Sequence, residues 1–386
     1  MENKQRLTSL DALRGFDMMW IMGFSGAVVA LCALFGFPDC WVARQMSHVA
    51  WHGFRHHDTI FPMFLFIAGV AWPFSYASQV SRGVPTVRIV LKCLRRLVLL
   101  FILGLTIGHA LDFNFATYRY DSILAHIGVC WIVAALLYVF IRNWKVRLII
   151  AFALLVLHWL VLYSFTAPDA SSLLTSGDPK VMQIVASYAA YGTDGFSFTG
   201  NIAGWMDRNF MPGRLYEVVF DPDGLFSKVS GISLAIFGVL AGELLRDQRL
   251  SGNCRTLLLA GAGAISLVLM FAWMPLCPVN KKIWTSTFIL SSASYSLLLL
   301  ALFYWIIDVK GYRRWAFFFK VIGVNSITIY MLMRFFDFGS VSGHLLGGVA
   351  SLGNGHWSDL VLAFGQVAVE WLILWGCYRK GVFLKV

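Results

Sequence analysis

Ten long apolar runs dominate this chain and limit what it can fold into. A bilayer core roughly 30 Å thick needs about 20 consecutive apolar residues in a helix, and stretches such as "LVLLFILGLTIGHAL" are continuously apolar. Transmembrane β-strands would instead be about ten residues of alternating polarity. The runs predict ten transmembrane helices, at about 15–36, 59–80, 90–112, 122–141, 146–165, 224–245, 255–276, 285–307, 316–337 and 358–378.

The composition agrees with a chain that lies in a membrane. Of its 386 residues, 59% are hydrophobic and only 13% are charged, whereas a soluble domain carries about 25% charged residues. We therefore expect an all-α integral membrane protein, folded as a single transmembrane domain over residues 1–386.

The basic residues gather in the short connections between the apolar runs. Cytoplasmic loops are enriched in Lys and Arg, and with an even number of helices this pattern places both termini in the cytoplasm. The net charge of +11 is spread over these loop ends and forms no basic domain, which disfavours a nucleic-acid partner. The lipid bilayer is the partner that these charges predict.

Four histidines and an aspartate stand directly before the second apolar run, in "SHVAWHGFRHHD". With the N-terminus inside, His48, His52, His56, His57 and Asp58 lie at the outer mouth of the first two helices. If this segment is helical, the first three histidines share one face, because they recur every four residues.

Three interpretations of this cluster stay open from the residues alone. Histidines one helical turn apart can bind zinc, but no HExxH motif or cysteine pair accompanies them, so no metal is the preferred expectation. Alternatively, one histidine oriented by a carboxylate acts as a base, an acid or an acyl acceptor near neutral pH. The third interpretation is that the histidines merely tolerate the headgroup region.

One long connection, about residues 166–223, is predicted on the outer face. It contains "GTDGFSFTGNIAGWMDRNFMPGRLYE" and "FDPDG", which are rich in turn-forming and aromatic residues. Loops of this length in compact proteins are usually functional. Carboxylates beside aromatic faces predict a sugar-binding surface, with a purely structural lid as the alternative.

A set of seven motifs runs in order along nearly the whole chain. They are "RLTSLDALRGFDM", "SHVAWHG" followed by "DTIFPMFLFIAGV", "GWMDRNFMPGRLYE", "FDPDGLFSKVSGISLAIFGVLAGELL", "CPVNKKIWTSTFILSSASY", "IDVKGYRRWAFFFKVIGVNSITIYM" and "YRKGVFLKV". In this order and spacing they resemble the transmembrane acyltransferase family that includes the heparan-alpha-glucosaminide N-acetyltransferases and their bacterial relatives.

The resemblance implies an activity and two site residues. Family members transfer an acetyl group from cytosolic acetyl-CoA to the amino group of a glucosamine unit across the membrane. The family's functional histidine aligns with His48, as acetyl acceptor or general base, and its aspartate aligns with Asp58. The chain then looks like the bacterial form of the family, which lies in the inner membrane and lacks the lumenal N-terminal domain of the animal members. A homodimer is a further expectation from the family.

Further site residues follow from charge and predicted side. CoA is a polyanion, and Arg and Lys bind phosphate groups. The candidates at the cytoplasmic face are Arg14, Arg95, Arg96, Lys310, Arg313 and Arg314. Asn325 and Ser326, half way along the ninth run, either line a channel for the pantetheine arm or bond a neighbouring helix. The candidates for the acceptor sugar are Asp207, Arg208, Glu217, Asp221, Asp223, Asn280, Lys281 and Trp284.

An amino-sugar transporter is the alternative from another functional class. Many helices with intramembrane charges suit a transporter. A transporter has no need, however, for a histidine and an aspartate outside together with a basic face of CoA size inside. No inverted repeat or pair of broken helices is visible in the sequence.

Overall fold

The computed structural model describes residues 7–107 and 113–384, which form helices and connections with one isolated β-bridge, Arg119 to Gly213. In chain order the helices are α1 (Thr8–Met19), α2 (Ser25–Leu34), α3 (Trp41–Gln45), α4 (Ile60–Val80), α5 (Thr86–Ile107), α6 (Ile123–Phe140), α7 (Trp144–Ser164), α8 (Ala170–Leu174), α9 (Pro179–Tyr188), α10 (Ile202–Phe210), α11 (Ser227–Arg246), α12 (Gly252–Trp273), α13 (Ser286–Phe303), α14 (Ala316–Val324), α15 (Ser326–Phe335), α16 (Phe338–Ala350) and α17 (Gly355–Lys380). Shorter turns of 3-10 or π helix are Trp20–Phe24, His56–Thr59, Ala189–Tyr191 and Tyr304–Val309.

The helices confirm an all-α, multi-pass membrane protein. Within the described ranges, eight helical segments are long and apolar enough to cross a membrane, or nine if the bent pair α14 and α15 is one span. All ten predicted runs coincide with helices, but α5 is not among these eight, because its first half carries four basic residues. The end of its run, residues 108–112, lies outside the described residues. The count of ten and the side of the termini therefore stay predictions.

The ninth predicted run is not one straight helix. Its two halves, α14 and α15, meet at Asn325 with a bend of 68°. A second irregularity lies in the first span, where the π turn Trp20–Phe24 contains Gly23 at φ 108°. Both departures from regular helix adjoin the cavity described below.

Glycines let the central helices pack with their backbones in contact. A Cβ atom added at Gly238 of α11 would lie 2.2 Å from the carbonyl oxygen of Phe66 on α4. Between α1 and α14 the approach is as close, since a Cβ at Gly15 or Gly323 would lie 1.8 Å from a carbonyl oxygen of the other helix. Small residues at such contacts are what allows transmembrane helices to associate closely.

The long connection between α7 and α11 forms a cap over a second hydrophobic cluster. Buried Phe198 and Phe220 of the connection pack there with Trp51 and Ile283, which come from other parts of the chain. The Trp51 indole N–H also donates to the carbonyl oxygen of Phe196 at 2.8 Å. The histidine-rich segment, which contains Trp51, is therefore fixed to the cap.

We expect Gly238→Ala to lower the unfolding temperature in detergent, because its methyl group meets a carbonyl oxygen that cannot move without shifting α4. Overpacking of this kind typically costs about 1–3 kcal/mol. Gly261→Ala is the matched control: it lies inside α12 and its Cβ has no atom within 4 Å, so the unfolding temperature should stay equal or rise. Equal losses for both variants would contradict the packing argument.

Candidate active site

His48 and Asp58 are in direct contact at the end of the bundle where the first span finishes and α4 begins. The distance from His48 Nδ1 to Asp58 Oδ1 is 2.8 Å. Because a carboxylate only accepts hydrogen bonds, this contact places the imidazole proton on Nδ1 and leaves a lone pair on Nε2. The Asp58 side chain is fully buried, whereas 53% of the His48 side chain is exposed. This geometry suits a base or nucleophile at an accessible position.

Backbone contacts hold this pair in place. The second carboxylate oxygen of Asp58 accepts from the backbone N–H of Arg55 at 3.1 Å, in a capping box. The Arg55 guanidinium in turn donates to the carbonyl oxygen of His48 at 3.0 Å and to the hydroxyl of Ser47 at 2.7 Å. One short segment thus fixes both partners of the hydrogen bond.

The segment that carries the histidines is not helical. Residues 46–55 are irregular, and helical geometry begins only with the 3-10 turn His56–Thr59. Gly53 has φ 128°, a conformation that side chains rarely adopt, and its N–H donates to the carbonyl oxygen of Val279 at 2.8 Å. The histidines spaced by four residues therefore do not share a helical face.

His52 and His56 have separate partners instead. His52 Nδ1 lies 3.4 Å from the Asn280 amide nitrogen, and His56 Nδ1 lies 2.7 Å from the Tyr295 hydroxyl. Burial lowers the pKa of His52, although the charge of Asp194 opposes this effect. Among the described residues, no three His, Cys, Asp or Glu side chains are grouped as metal ligands.

His57 is the histidine next to His48, a neighbour that the four-residue spacing did not indicate. Their ring centroids are 4.5 Å apart, and His57 Nδ1 lies 3.4 Å from the hydroxyl of Ser25 on α2. His57 therefore belongs to the wall of the site, and its adjacency to Asp58 in the sequence was the available signal.

Lys281 brings an amino group to the same place. Its Nζ lies 3.0 Å from His48 Nδ1, 3.4 Å from His48 Nε2 and 3.7 Å from Asp58 Oδ1. Burial lowers the pKa of Lys281, while the charges of Asp58 and Asp223 oppose this. Of the predicted acceptor residues, Lys281 is the one that directly contacts the His48–Asp58 pair.

A tight turn presents Lys281. The Asn280 side-chain oxygen accepts from the backbone N–H groups of Lys282 at 2.8 Å and Ile283 at 3.2 Å. Trp284 has φ 50°, which is uncommon for a residue with a side chain. Its ring is buried and stacks on His126, with centroids 4.3 Å apart. Asn280 and Trp284 therefore shape the turn and its floor.

Glu217 joins this turn to the cap. Its carboxylate pairs with Lys282, which also contacts the hydroxyl of Tyr188. Burial alone would lower the pKa of Lys282, but Glu217 and Tyr188 raise it above its ordinary value. The two adjacent lysines thus have opposite electrostatic surroundings.

Asp221 and Asp223 are held within the cap. The Arg119 guanidinium donates to both carboxylate oxygens of Asp221, at 2.8 and 2.7 Å, and to Asp223 at 2.7 Å. Burial raises the pKa of Asp223 to about 6, against the opposing charge of Arg119. These two predicted acceptor residues thus form the buried scaffold of the loop.

Asp207 and Arg208 have similar roles in the cap. Asp207 is buried and accepts from the backbone N–H groups of Asp221 and Leu225, each at 3.1 Å. Burial raises the pKa of Asp207 to about 7, against these hydrogen bonds. The Arg208 guanidinium forms a fork with Asp169 at 2.9 and 2.8 Å. Both side chains therefore satisfy partners within the loop.

A cavity of about 340 Å³ lies among the helices below His48 and Asp58, and we call it the helix-enclosed cavity. Arg14, Arg96 and Ser326 line it together with mostly apolar side chains, and Phe61 of α4 lines it as well. Phe61 follows Asp58 by one helical turn, about 5 Å along the axis. The cavity volume falls within the usual range for small-molecule sites, about 300–1,000 Å³.

Only part of the predicted CoA-binding set reaches this cavity. Arg96 lies with its guanidinium 4.1 Å from the ring centroid of Trp131, and its buried Nε has no hydrogen-bond partner among the described residues. Asn325 instead donates to the carbonyl oxygens of Val321 at 3.0 Å and Leu374 at 3.4 Å, which stabilises the helix bend. The exposed candidates outside the cavity lining are Arg95, Lys310, Arg313 and Arg314.

The apolar side of the cavity was not predicted as a site. Met18, Phe64, Ala68 and Tyr330 line it, yet in the sequence they are ordinary members of apolar helical runs. No signal in a single sequence separates such residues from lipid-facing or core positions.

Comparisons with known proteins agree with the motifs. Residues 6–212, more than half of the chain, match the family model described as "Domain of unknown function (DUF5009)". Heparan-alpha-glucosaminide N-acetyltransferase of Mus musculus is 25% identical over 445 residues, and that of Homo sapiens is 25% identical over 429 residues. Each match covers 99% of this chain, and the chain spans about 60% of the length of these relatives. The chain therefore belongs to the DUF5009 family and is a distant homologue of heparan-alpha-glucosaminide N-acetyltransferase.

Proposed function

We propose that this protein is a transmembrane N-acetyltransferase of a bacterial inner membrane. It moves the acetyl group of cytosolic acetyl-CoA to the amino group of glucosamine, or of a glucosamine-containing sugar, on the periplasmic side. The observation that carries the proposal is the 2.8 Å contact of His48 with Asp58, one helical turn beyond a cavity that arginines line.

The chemistry is centred on His48 Nε2. In the covalent route Nε2 attacks the thioester carbon, the C–S bond breaks, and the sugar amine then takes the acetyl group from the imidazole. In the direct route Nε2 removes a proton from the sugar amine while that amine attacks the thioester carbon; the C–S bond breaks, and the proton passes from Nε2 to the CoA thiolate. In both routes Asp58 orients the ring and stabilises the imidazolium, as a carboxylate does in a catalytic triad.

The donor side of the proposal uses the helix-enclosed cavity. CoA cannot cross hydrocarbon as a polyanion, but its narrow pantetheine arm can enter between helices, with Ser326 as a polar contact. Arg14 and Arg96 at the cavity bind phosphate or amide oxygens of the donor. We assign to the exposed residues Arg95, Lys310, Arg313 and Arg314 the weaker role of attracting the polyanion.

We assign fewer residues to the acceptor site than the sequence predicted. Lys281 flanks the reacting nitrogen, and the turn that carries it depends on Asn280, Trp284 and Glu217. We assign buried Asp207, Asp221 and Asp223 and the half-buried Arg208 to the scaffold of the cap, because their side chains are hydrogen-bonded within it.

An amino-sugar transporter is the second candidate, and one observation favours it. The 68° bend between α14 and α15 lies beside the cavity, and broken helices form substrate sites in many transporters. Within the described ranges, however, only this one helix pair passes as a bent span. The His48–Asp58 pair also has no role in a pure transporter.

We expect His48→Ala to reduce the acetylation of glucosamine by detergent-purified protein at least about 100-fold, since positioned acid–base groups contribute about 10²–10⁴. Asp58→Asn should give a loss of the same order, because it changes the tautomer of the imidazole. Exposed His344 on α16 supplies the control, and His344→Ala should retain full activity. Acetylation in detergent, where no gradient exists, requires an enzyme. Uptake of glucosamine into liposomes by a protein that acetylates no glucosamine would favour the transporter instead.

A substitution in the cavity tests the donor side. We expect Arg96→Gln to raise KM for acetyl-CoA about 10-fold or more, because a hydrogen bond to a charged group contributes about 1.5–3 kcal/mol. Arg249→Gln is the control, since the Arg249 side chain is 93% exposed on a loop and its KM should not change. If Arg96→Gln keeps both the wild-type unfolding temperature and the wild-type KM, the cavity is not the donor site.

A further inference from the structure

The amino group of Lys281 lies where an acceptor amine has to lie. Its Nζ is 3.4 Å from His48 Nε2 and 3.0 Å from Nδ1. We propose that Lys281 is a modification site, which the protein acetylates itself when acetyl-CoA is present and no sugar fills the acceptor site. This inference rests on the proposed transfer of acetyl groups at His48.

The two ring nitrogens of His48 that Lys281 contacts are not chemically equivalent. While His48 donates its Nδ1 proton to Asp58 at 2.8 Å, Nδ1 has no lone pair left to accept a hydrogen bond from Lys281. The lone pair that remains is on Nε2, the nitrogen that reacts in both proposed routes. Lys281 Nζ therefore lies 3.4 Å from the reacting atom, within reach of an acetyl group that is bound to Nε2 or approaches it.

The position of Lys281 is fixed rather than accidental. Only 20% of its side chain is exposed, and the preceding Asn280 closes the turn that presents it. Asp58 Oδ1, at 3.7 Å, draws the ammonium toward the imidazole. Burial lowers the pKa of Lys281 against the opposing charges of Asp58 and Asp223, which raises the fraction of neutral, nucleophilic amine.

The reaction balances without any further reactant. The Nζ of Lys281 forms a bond to the acetyl carbon, and the C–S bond of acetyl-CoA breaks, either directly or after the acetyl group has passed through His48. The ammonium loses two protons: one leaves with CoA as its thiol, and the other goes to solvent. The products are Nε-acetyl-lysine, CoA and one proton.

Acetylation at this position would change the site. It removes the positive charge beside His48 and Asp58, and it adds an acetyl group where the sugar amine approaches. The transferase would therefore lose activity when donor is abundant and acceptor is scarce, and bound sugar would protect it.

Lys282 offers an internal control one residue away. Its amino group is engaged by Glu217 and Tyr188, which raise its pKa although burial opposes them. Preference for residue 281 over residue 282 therefore shows which amine is reactive, and loss of the label in His48→Ala shows that the modification needs the site.

The test uses the full-length protein in detergent, incubated with deuterium-labelled acetyl-CoA and no sugar, followed by peptide mass spectrometry. We expect labelled acetyl-lysine at Lys281 at a level at least about 10-fold above Lys282. Glucosamine should suppress the label, and His48→Ala should reduce it at least about 10-fold. Wild-type activity should fall during incubation with acetyl-CoA, whereas Lys281→Arg should show no time-dependent loss from its own starting activity.

The outcomes separate this inference from the proposed function. Equal labelling of Lys281 and Lys282 by a protein that acetylates glucosamine overturns the inference and leaves the proposed function intact. Full labelling of Lys281 in His48→Ala also overturns it, because the modification would then be spontaneous. If neither Lys281 nor glucosamine is acetylated, the proposed function itself fails.

Discussion

The hydrogen bond between His48 and buried Asp58 is the interaction on which the account depends. A carboxylate with no exposed surface is stable at this position only because partners surround it, and here the Arg55 N–H, the imidazole and Lys281 Nζ serve that role. The same contacts give the imidazole one orientation and one tautomer. One arrangement therefore stabilises the buried Asp58 carboxylate and also orients the imidazole of His48.

In the proposed function, the surrounding helices connect this pair with the opposite end of the bundle. Close contacts at Gly15 and Gly323 join α1 to α14, and the bend at Asn325 then turns α15 along the helix-enclosed cavity. The cavity extends from the level of Phe61 toward Arg14, which is near the opposite end of the first span. In the proposed function, the acetyl-bearing arm of the donor enters this space, so the whole polyanion does not have to cross the hydrocarbon.

Much of the fold could be predicted from the sequence, because each of the long helices is an apolar run whose length the bilayer sets. His48 and Asp58 were predicted because a matched motif marked them, and the structure places them in contact. The spacing of the histidines was misleading, because residues four apart share one face only in a helix. Gly53 has a φ of 128°, which is not helical. The carboxylates of the cap were assigned to sugar because their partner Arg119 lies about 100 residues away in the chain, a distance that no local pattern spans.

The central claim is that one protein joins a donor on one side of the membrane to an acceptor on the other. Sealed proteoliposomes with the protein in one orientation test it, with acetyl-CoA supplied only on the side of the chain termini and glucosamine enclosed on the other side. The account predicts N-acetylglucosamine in the compartment that never contained acetyl-CoA, with CoA released on the side of the termini. Product formed only when both substrates share a compartment would contradict it.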